Sequence, residues 1–409
     1  MTRGACRACG AQLKYTFADL GLSPLANSYV AEDKAREGEM FYPLHAYVCD
    51  ACFLVQLEEF ESPSNIFSDY AYFSGFSQSW LRHAETYVTA MQERFGLGPR
   101  HKVVEVASND GYLLQYFVQR NVPVLGVEPA RNVAQVAISR GVPTEVMFFG
   151  RETAQMLRAA GHAADLMVAN NVFAHVPDIM DFVSGFRILL RPQGVATFEF
   201  PHLLRMIEGS QFDTIYHEHF SYLSLAVVAD ILKRNRLRAF DLTELSTHGG
   251  SLRVFVCHEE ADHKETAAVA NVLAAENAAG LRDLAVYSSF AENVANIKCG
   301  ALAFLVGVRK EKKTVCGYGA AAKGNTFLNY CGIGPELVSA VADLSPHKQN
   351  TLLPGSRIPV VSPQAMLARK PDYVLILPWN LKDEVAAQLK EIRSWGGSFV
   401  TAIPRISIF

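Results

Sequence analysis

The chain has 409 residues, of which 50 % are hydrophobic and 19 % charged, and its formal net charge is −3. That length exceeds one compact core, so two or three domains are expected, and the charge gives no reason to expect nucleic acid or an anionic membrane as a partner. No apolar run approaches the roughly 20 residues that span a bilayer, and the N-terminus lacks a signal-peptide pattern. We therefore predict a cytoplasmic protein with reduced thiols.

Four of the eight cysteines form two Cys-x-x-Cys pairs, Cys6 with Cys9 and Cys49 with Cys52. Two such turns present four thiolates, which complete a tetrahedral Zn²⁺ site and leave no open position for catalysis. We predict a structural zinc in a domain of residues 1–65, with a redox pair or coincidence as the alternatives. The other cysteines lie in apolar stretches typical of core thiols: Cys257, Cys299, Cys316 and Cys331.

From about residue 101 the pattern changes to alternating strands and helices. Residues 102–107 are typical of a buried strand, residues 108–111 of a tight turn, and residues 122–128 of a second strand that ends in an acid. This succession predicts a doubly wound α/β domain, which binds its ligand at the carboxyl ends of the strands. We assign it to residues 66–258.

The first turn of this domain indicates which ligand it binds. It lacks the G-x-G-x-x-G and Gly-Lys-Ser/Thr patterns of phosphate-binding loops. S-adenosylmethionine carries no phosphate and needs only close backbone approach, and an acid such as Glu128 can accept both ribose hydroxyls. Residues 105–111, Glu-Val-Ala-Ser-Asn-Asp-Gly, resemble the first motif of class I methyltransferases, with Ala107 and Asn109 where glycines are usual. A plain α/β domain is the alternative. The candidate cofactor-binding residues are Glu105, Ser108, Asn109, Asp110, Gly111, Glu128, Asn170 and Asn171.

Two polar segments of the same domain are candidates for chemistry. His175 follows Asn170-Asn171 after the fourth strand, near the reaction site of methyltransferases, although a hydrogen-bonded core histidine is an alternative. Residues 216–220, Tyr-His-Glu-His-Phe, offer imidazoles that titrate near neutral pH beside a carboxylate and two aromatic rings. A metal site there is disfavoured because no third ligand is evident, and a solvated loop is the bland alternative.

The remaining sequence, residues 259–409, predicts a helical connection and a second Rossmann-like domain. Residues 263–313 have helical spacing without proline. Residues 317–322, Gly-Tyr-Gly-Ala-Ala-Ala, then match the dinucleotide fingerprint, and Asp343 ends the next strand. The turn suits either NAD or the diphosphate of a nucleotide-sugar, and Lys323 adds a cation.

These features, in this order, resemble the sugar C-methyltransferases of antibiotic biosynthesis, which act at C-3 of nucleotide-linked 4-keto-deoxyhexoses and make branched sugars such as tetronitrose and mycarose. The resemblance covers essentially the whole chain. It implies a structural zinc, S-adenosylmethionine in the central domain, and a dTDP-4-keto-deoxyhexose held between the second and third domains. The third domain then contacts substrate rather than NAD.

The resemblance also implies roles for individual residues. His219 is the general base that removes the proton beside the ketone, with Glu218 and Tyr216 as its neighbours and His175 as the second candidate acid or base. Tyr70 matches an aromatic position near the sugar. Glu218 and His219 reach one site only if their segment is an irregular loop, because a strand would place them on opposite faces. The remaining candidate substrate contacts are Tyr72, Gly319, Lys323, Asn325, Thr326 and Arg253.

Three further interpretations stay open at this point. One is methylation at C-5 of a related sugar nucleotide, and another is an NAD-dependent sugar-nucleotide oxidoreductase that uses residues 317–343. The third is a non-catalytic, zinc-anchored binding protein. The sequence leaves the oligomeric state open, with a monomer as the working expectation.

Overall fold

The computed structural model of the chain describes residues 4–62, 74–76 and 78–409. Tyr70 and Tyr72, predicted to lie near the sugar, fall outside the described residues. The strands are β1 (Tyr15–Ser23), β2 (Val30–Ala31), β3 (Tyr42–Val48), β4 (Val55–Leu57), β5 (Val103–Val106), β6 (Val124–Val127), β7 (Thr144–Glu145), β8 (Ala164–Asn170), β9 (Leu190–Pro201), β10 (Ser221–Tyr222), β11 (Leu237–Leu245), β12 (Ser251–His258), β13 (Val315–Tyr318), β14 (Val341–Ala342), β15 (Thr351–Leu352), β16 (Pro359–Val361), β17 (Tyr373–Ile376), β18 (Ser398–Thr401) and β19 (Ser407–Ile408).

Helices connect these strands, mostly on the faces of the two larger sheets. The described α-helices are α1 (Gln78–Phe95), α2 (Leu114–Gln119), α3 (Arg131–Ser139), α4 (Arg151–Ala159), α5 (Ile179–Leu189), α6 (Leu203–Glu208), α7 (Leu225–Arg234), α8 (Ala267–Ala278), α9 (Leu284–Lys310), α10 (Ala322–Cys331), α11 (Pro363–Ala368) and α12 (Lys382–Gln388).

The central sheet has the order β11-β12-β9-β8-β5-β6-β7. Strands β5 to β9 run parallel, and β12 is antiparallel to both of its neighbours. All four residues of β5 and of β6 are buried, as expected for parallel strands covered on both faces. The order reverses between β5 and β8, so the carboxyl ends of these strands border the crevice where ligands bind. The α/β prediction for this domain is confirmed.

The third sheet has the order β19-β18-β17-β13-β14-β16-β15-β2, and its strands β13, β14, β16, β17 and β18 run parallel. Strand β13 is followed by a glycine turn and helix α10, the same succession that opens the central domain. The second Rossmann-like fold is therefore confirmed. The first sheet, β1-β3-β4-β10, is antiparallel; Cys49 and Cys52 lie between β3 and β4, and Cys6 and Cys9 precede β1.

Two short strands lie in a sheet far from their place in the sequence. Strand β2, from the cysteine-bearing part of the chain, pairs with β15 at the edge of the third sheet. Strand β10, from the central part, pairs with β4 in the first sheet. Because β10 directly follows residues 216–220, this pairing holds the polar pentapeptide against the first sheet.

Helix α9 is the one described helix that is long and apolar enough to cross a membrane, judged by length and composition alone. Its buried residues recur along one stripe and pack on the core: Tyr287, Phe290, Val294, Ile297, Ala301, Leu305 and Val308. That spacing is the pattern of a helix with one face on a protein core. The predicted helical connection between residues 263 and 313 corresponds to α8 and α9.

Candidate active site

The four cysteines of the two pairs converge in the first domain. Their Sγ atoms all lie within 4.8 Å of one another, with Cys6 and Cys52 3.6 Å apart and Cys9 and Cys49 3.5 Å apart. Such a closed thiolate set fits a tetrahedral Zn²⁺ and leaves no position for a substrate. The zinc prediction is confirmed. Among the other thiols, the core assignment is wrong for Cys299, which is exposed, while the rest are buried.

The turn after β5 has the backbone of a glycine-rich loop without its glycines. Ala107, Asn109 and Gly111 have φ values of 56°, 50° and 76°. A left-handed conformation costs an ordinary L-residue roughly 1–2 kcal/mol, so the turn keeps this geometry at the expense of stability. The departure of Ala107 and Asn109 from the usual motif therefore changes the residues but not the path of the chain.

Two buried carboxylates stand at the ends of β5 and β6. Glu128 accepts hydrogen bonds from the main-chain N–H of Asn109 and of Ala130, both at 2.9 Å. Burial raises the pKa of Glu128, and these two amides oppose that shift. Burial also raises the pKa of Glu105 well above its usual range, with Glu128 and Asp110 adding to the effect. The acids are therefore held at the sheet edge where the ribose and amino groups of the cofactor are expected.

Asp110 holds the turn in place through contacts with residues outside it. Its carboxylate pairs with Arg140 at 2.9 Å and accepts the amide of Gly75. A Cβ on Gly75 would lie 2.4 Å from Asp110 Oδ2, so only glycine allows this approach. The amide of Ser74 donates to Asn109 Oδ1 at 2.9 Å. Residues 74–76 therefore lie directly on the turn.

Several buried polar atoms around this turn make no hydrogen bond to any described residue. They belong to a hydroxyl and two side-chain amides: Ser108 Oγ, Asn170 Oδ1, and both Oδ1 and Nδ2 of Asn171. Buried polar groups are normally satisfied, so a cluster of unsatisfied ones marks the place of a polar ligand. The residues present therefore fit S-adenosylmethionine, whose amino acid and ribose parts need such partners.

Residues 216–219 form a turn closed by a hydrogen bond from the His219 amide to the Tyr216 carbonyl at 2.8 Å. The expected irregular loop is confirmed. The His219 ring contacts Tyr216, with centroids 4.0 Å apart, and meets His175 edge to face at 4.7 Å. The loop and the segment after β8 thus bring these three side chains together.

Hydrogen bonds to carbonyls fix the tautomers of both imidazoles. His219 Nδ1 lies 2.8 Å from the Thr214 carbonyl, and His175 Nδ1 lies 2.8 Å from the Glu218 carbonyl. A carbonyl only accepts, so each Nδ1 carries the proton and Nε2 keeps the lone pair. Burial, reinforced by His175, lowers the pKa of His219 well below 6.5, and burial lowers the pKa of His175 to about 4. Both rings are neutral at physiological pH.

The first domain supports this loop through Glu218 and His217. Asn27 donates its side-chain amide to Glu218 Oε1 at 2.6 Å across 191 residues of sequence. His217 Nε2 lies 3.2 Å from the Pro43 carbonyl, and its ring meets Tyr42 edge to face. His217 therefore points away from His219 into the interface with the first sheet, as expected of a structural residue.

Lys323 and Trp379 of the third domain form a polar cluster with Asp213 and His248 of the central domain. Lys323 Nζ is shielded from solvent, makes no hydrogen bond within the described part of the chain, and lies 5.4 Å from the Trp379 ring centroid. Trp379 Nε1 donates to Asp213 Oδ2 at 2.8 Å. Burial lowers the pKa of Lys323, and Asp213 opposes that shift. His248 lies close enough to Lys323 for the ammonium to lower its pKa.

Asn325 and Thr326 hold the domains together. Asn325 Nδ2 donates to the Ala26 carbonyl at 2.6 Å, and Thr326 Oγ1 donates to the Ile215 carbonyl at 3.0 Å. Their contacts with substrate stay a prediction. The structure shows that they fasten α10 to the first domain and to the segment before the His219 loop.

In the fingerprint turn of the third domain, polar groups that could bind a phosphate are bonded to other groups of the protein. Asp343 accepts the amides of Ala320 and Ser345, both at 2.8 Å, and the Ala320 carbonyl receives Tyr29 Oη and Lys348 Nζ. A Cβ on Gly319 would lie 2.4 Å from the Pro378 ring. The first domain therefore covers the turn where a pyrophosphate would approach.

Arg253 lies inside the central domain and forms an ion pair with Glu199 at 2.7 Å, over the Tyr87 ring. Glu199 also contacts His83 Nε2 at 3.0 Å, and His83 stacks on Trp80. The substrate contact expected of Arg253 stays a prediction, since its guanidinium already serves as the counter-ion of Glu199.

Sequence reasoning did not single out Asn27, Trp80 or Asp213, and it treated His248 only as the start of a polar, glycine-rich turn. His248 alone carried a signal, because two glycines follow it and indicate a special turn. The other three depend on contacts between distant parts of the chain.

Comparison with known proteins agrees with this architecture. A zinc binding domain family matches residues 6–67, a methyltransferase domain family matches residues 80–239, and the family described as C-methyltransferase C-terminal domain matches residues 246–404. The chain is 37 % identical over 399 residues to the C-methyltransferase NovU of Streptomyces niveus, covering 98 % of this chain and 95 % of that protein.

The solved structures are less similar to this chain and match a smaller part of it. Magnesium protoporphyrin IX methyltransferase of Synechocystis PCC 6803, with bound SAM, is 14 % identical at a TM-score of 0.33 and covers 44 % of this chain and 79 % of its own. A SAM dependent methyltransferase of Aquifex aeolicus is 14 % identical at a TM-score of 0.32, and the match covers 41 % of this chain and 87 % of that one. TM-scores this low give neither likeness any bearing on the function of this chain.

The full-length relative and the consecutive family matches agree with the zinc cluster and the cofactor turn. The enzyme uses S-adenosylmethionine and a structural zinc, and the chain belongs to the sugar C-methyltransferase family.

Proposed function

We propose that this enzyme methylates C-3 of a dTDP-linked 4-keto-deoxyhexose, in the biosynthesis of an antibiotic sugar, with His219 as the general base. The observation that carries the proposal is the neutral His219 ring, whose Nδ1 proton is bound by the Thr214 carbonyl so that Nε2 keeps its lone pair. The ring lies in a loop between the cofactor-binding sheet and the third domain. A base in that place can reach a substrate held between the two.

The reaction requires a carbon acid. A C–H bond beside a ketone is acidic enough for an imidazole to remove its proton if the resulting enolate is stabilised. His219 Nε2 takes the C-3 proton, the C–H electron pair forms the C-3/C-4 double bond, and the carbonyl pair moves to oxygen. S-adenosylmethionine supplies the methyl group to C-3 and leaves as S-adenosylhomocysteine. Positioning, rather than further acid or base help, completes the transfer.

The neighbours of His219 have supporting parts. The Tyr216 ring packs against the base in a tilted arrangement, and Glu218 supports the loop through Asn27. His175 adds to burial in keeping the base unprotonated until it acts, because a positive charge on one ring disfavours a positive charge on the other. Tyr70, or Tyr72 in its place, is proposed to contact the sugar.

Lys323 is the cation that we propose the third domain presents to the sugar part of the substrate. The amide of Ala320 is already committed to Asp343, so the Gly319 turn offers little else to an anion. Asn325 and Thr326 then shape the site by fixing α10. The proposed site of action is the cytoplasm.

The NAD-dependent alternative is disfavoured by the same turn. A dinucleotide needs close backbone approach at the glycines. Here Pro378 lies against Gly319, and Tyr29 of the first domain donates its hydroxyl to the Ala320 carbonyl. We expect no change in NADH fluorescence on mixing with the protein, and saturable binding would favour the oxidoreductase.

The direct test uses a dTDP-4-keto-deoxyhexose and methyl-labelled S-adenosylmethionine. We expect a carbon-methylated product, and NMR of that product distinguishes C-3 from C-5. His219→Asn should abolish transfer with both ligands still bound, whereas His347→Gln, which removes an exposed imidazole, should keep the wild-type rate. If His219→Asn retains most of its rate, the role of base moves to His175.

A further inference from the structure

His248 has a backbone conformation that an ordinary residue avoids. Its φ and ψ are 55° and 19°, and Gly249 and Gly250 follow with φ of 88° and 120°. A Cβ on Gly249 would lie 2.5 Å from the Trp379 side chain, and one on Gly250 would lie 2.7 Å from Arg205. Such strain costs about 1–3 kcal/mol and is characteristic of functional sites. The turn is thus pressed against the third domain with the His248 ring in a fixed position.

The His248 ring lies near both Lys323 and His219, since each of these groups interacts electrostatically with it. It meets the Trp80 ring edge to face, with centroids 5.6 Å apart. Neither ring nitrogen hydrogen-bonds to a side chain or main-chain group of the residues described. The titratable groups around it are Lys323, Glu199, His83 and His175. Burial, reinforced by Lys323, lowers the pKa of His248 to about 4, so the ring is neutral and has one N–H to donate.

Lys323 presents a second unused donor to the same space. Its ammonium is shielded from solvent, yet it forms no ion pair with Asp213, whose Oδ1 also lacks a partner among the residues the structure covers. Lys323 lowers the pKa of both His219 and His248, so its charge acts on the base and on the His248 ring together. A buried ammonium without an acceptor is costly unless a ligand supplies one.

We propose that Lys323 and His248 form the oxyanion site of the reaction and receive the C-4 ketone oxygen as it becomes an enolate. This inference rests on the proposed C-methylation. As His219 takes the C-3 proton, the carbonyl π pair moves onto oxygen, and the Lys323 ammonium and the His248 N–H bind the charge that develops there. When C-3 bonds to the methyl group, the pair returns and the ketone is restored. Neither donor gives up its proton.

A neutral imidazole suits this task. Its N–H is weakly acidic, so the pKa of this donor is close to that of the enol that corresponds to the enolate. A donor held in place also needs no reorganisation as charge develops on the oxygen. The second anion in the substrate, the diphosphate, is the competing occupant of Lys323. Lys323 lies 5.4 Å from the Trp379 ring, which donates to Asp213. Asp213 is the neighbour of Thr214, whose carbonyl holds His219, and this place favours the oxygen beside the proton being removed.

The test measures exchange of the C-3 proton in deuterated water, with S-adenosylhomocysteine bound so that no methyl transfer occurs. The variants are Lys323→Met, His248→Asn and His248→Gly. Asparagine and glycine both tolerate the left-handed backbone, so the turn is kept. Matched controls are Lys298→Met and His347→Gln, whose side chains lie outside the site.

We expect exchange to fall about 10²–10³-fold in each site variant, the usual effect of removing one oxyanion donor. Affinity for dTDP and S-adenosylhomocysteine should stay within about threefold, and imidazole should partly restore exchange in His248→Gly alone. Bound S-adenosylhomocysteine also reports folding, and His248→Asn carries the test if the glycine variant unfolds.

Three outcomes overturn the inference. Exchange within about threefold of wild type in all variants removes the oxyanion role. A loss of dTDP affinity in Lys323→Met that equals its loss of exchange assigns the lysine to the diphosphate. Wild-type protein that neither exchanges C-3 nor transfers methyl contradicts the proposed function itself, which is a separate failure.

Discussion

The imidazoles of His175 and His219 meet edge to face 4.7 Å apart, and each donates its Nδ1 proton to a main-chain carbonyl. Burial lowers the pKa of both rings, and a charge on one ring would oppose a charge on the other, so both are neutral near pH 7. His219, the proposed base, therefore needs no deprotonation before it acts.

This arrangement predicts the pH dependence of kcat/KM. The base is active when unprotonated, and burial places the pKa of His219 well below 6.5, so the acid limb should lie below pH 6.5. Burial also lowers the pKa of Lys323 from 10.5, so an alkaline limb should appear below that value. Steady-state rates from pH 4 to 10.5 check both limbs. Lys323→Arg should move only the alkaline limb upward, and an acid limb at or above 6.5 contradicts the assignment.

Stability should also depend on pH through His175. Its folded-state pKa is lowered to about 4 from 6.5, so between these values the unfolded chain binds more protons than the folded one. The stability that the lowered pKa of His175 contributes is complete above pH 6.5 and is lost as the pH falls towards 4. Urea unfolding across this window should show a shallower slope for His175→Gln. A His347→Gln control should keep the wild-type slope.

The strained cofactor turn can be relieved. Ala107→Gly removes a left-handed alanine and should raise the free energy of unfolding by about 0.5–1 kcal/mol, with S-adenosylmethionine affinity unchanged. Ala196→Gly, in the middle of β9, should lower it by about 1 kcal/mol instead. Urea titration and calorimetry measure both. A destabilised Ala107→Gly would show that the turn carries no strain.

Glu276 fastens α8 to the central domain. It contacts His202 Nε2 at 2.7 Å and accepts the amides of Leu225 and Ala226, the first two residues of α7. Removing it leaves two buried donors and one partly buried donor unsatisfied, so Glu276→Ala should destabilise by about 3–5 kcal/mol in urea unfolding. Glu292→Ala, on the exposed side of α9, should stay within about 0.5 kcal/mol. Similar losses in both variants would contradict the role of Glu276.

Zinc removal should impair the active site, although the metal takes no part in the reaction. The cysteine cluster organises the domain that supplies Asn27 to Glu218 and Tyr29 to Ala320. We expect one zinc per chain by a colorimetric chelator assay, and parallel loss of methyl transfer and thermal stability on its removal. Cys49→Ser should behave like the metal-free enzyme, and Cys299→Ser like the wild type. An active metal-free enzyme would contradict this coupling.

Local patterns predicted the parts of the fold that local forces decide. The paired cysteines, the strand–turn–helix at β5 and its repeat at β13 could be read from residue spacing alone. The expected acid after the second strand, Glu128, lies directly after β6, while its contact with the ribose stays a prediction. The irregular loop at residues 216–219 followed from requiring Glu218 and His219 to serve one site.

The other contacts depend on long-range packing. Asn27 and Glu218 are 191 residues apart, and nothing near either one indicates the other. The edge-to-face contact of Trp80 with His248 likewise joins a helix of the central domain to a distant turn. Strands of two residues, such as β2 and β10, are too short to show periodicity. Cys299 was misassigned because its apolar neighbours lie on a helix whose other face is exposed.

The exchange of β2 and β10 between sheets has an evolutionary consequence. A gene fusion that replaced one domain of this enzyme at a sequence boundary would leave an unpaired edge in a second sheet. Recombination between relatives would therefore succeed only when the donor and recipient strands are inherited together. New sugar preferences in this lineage are expected to arise by point substitution around a preserved framework, and chimeric enzymes should be made with breakpoints outside both strand pairs.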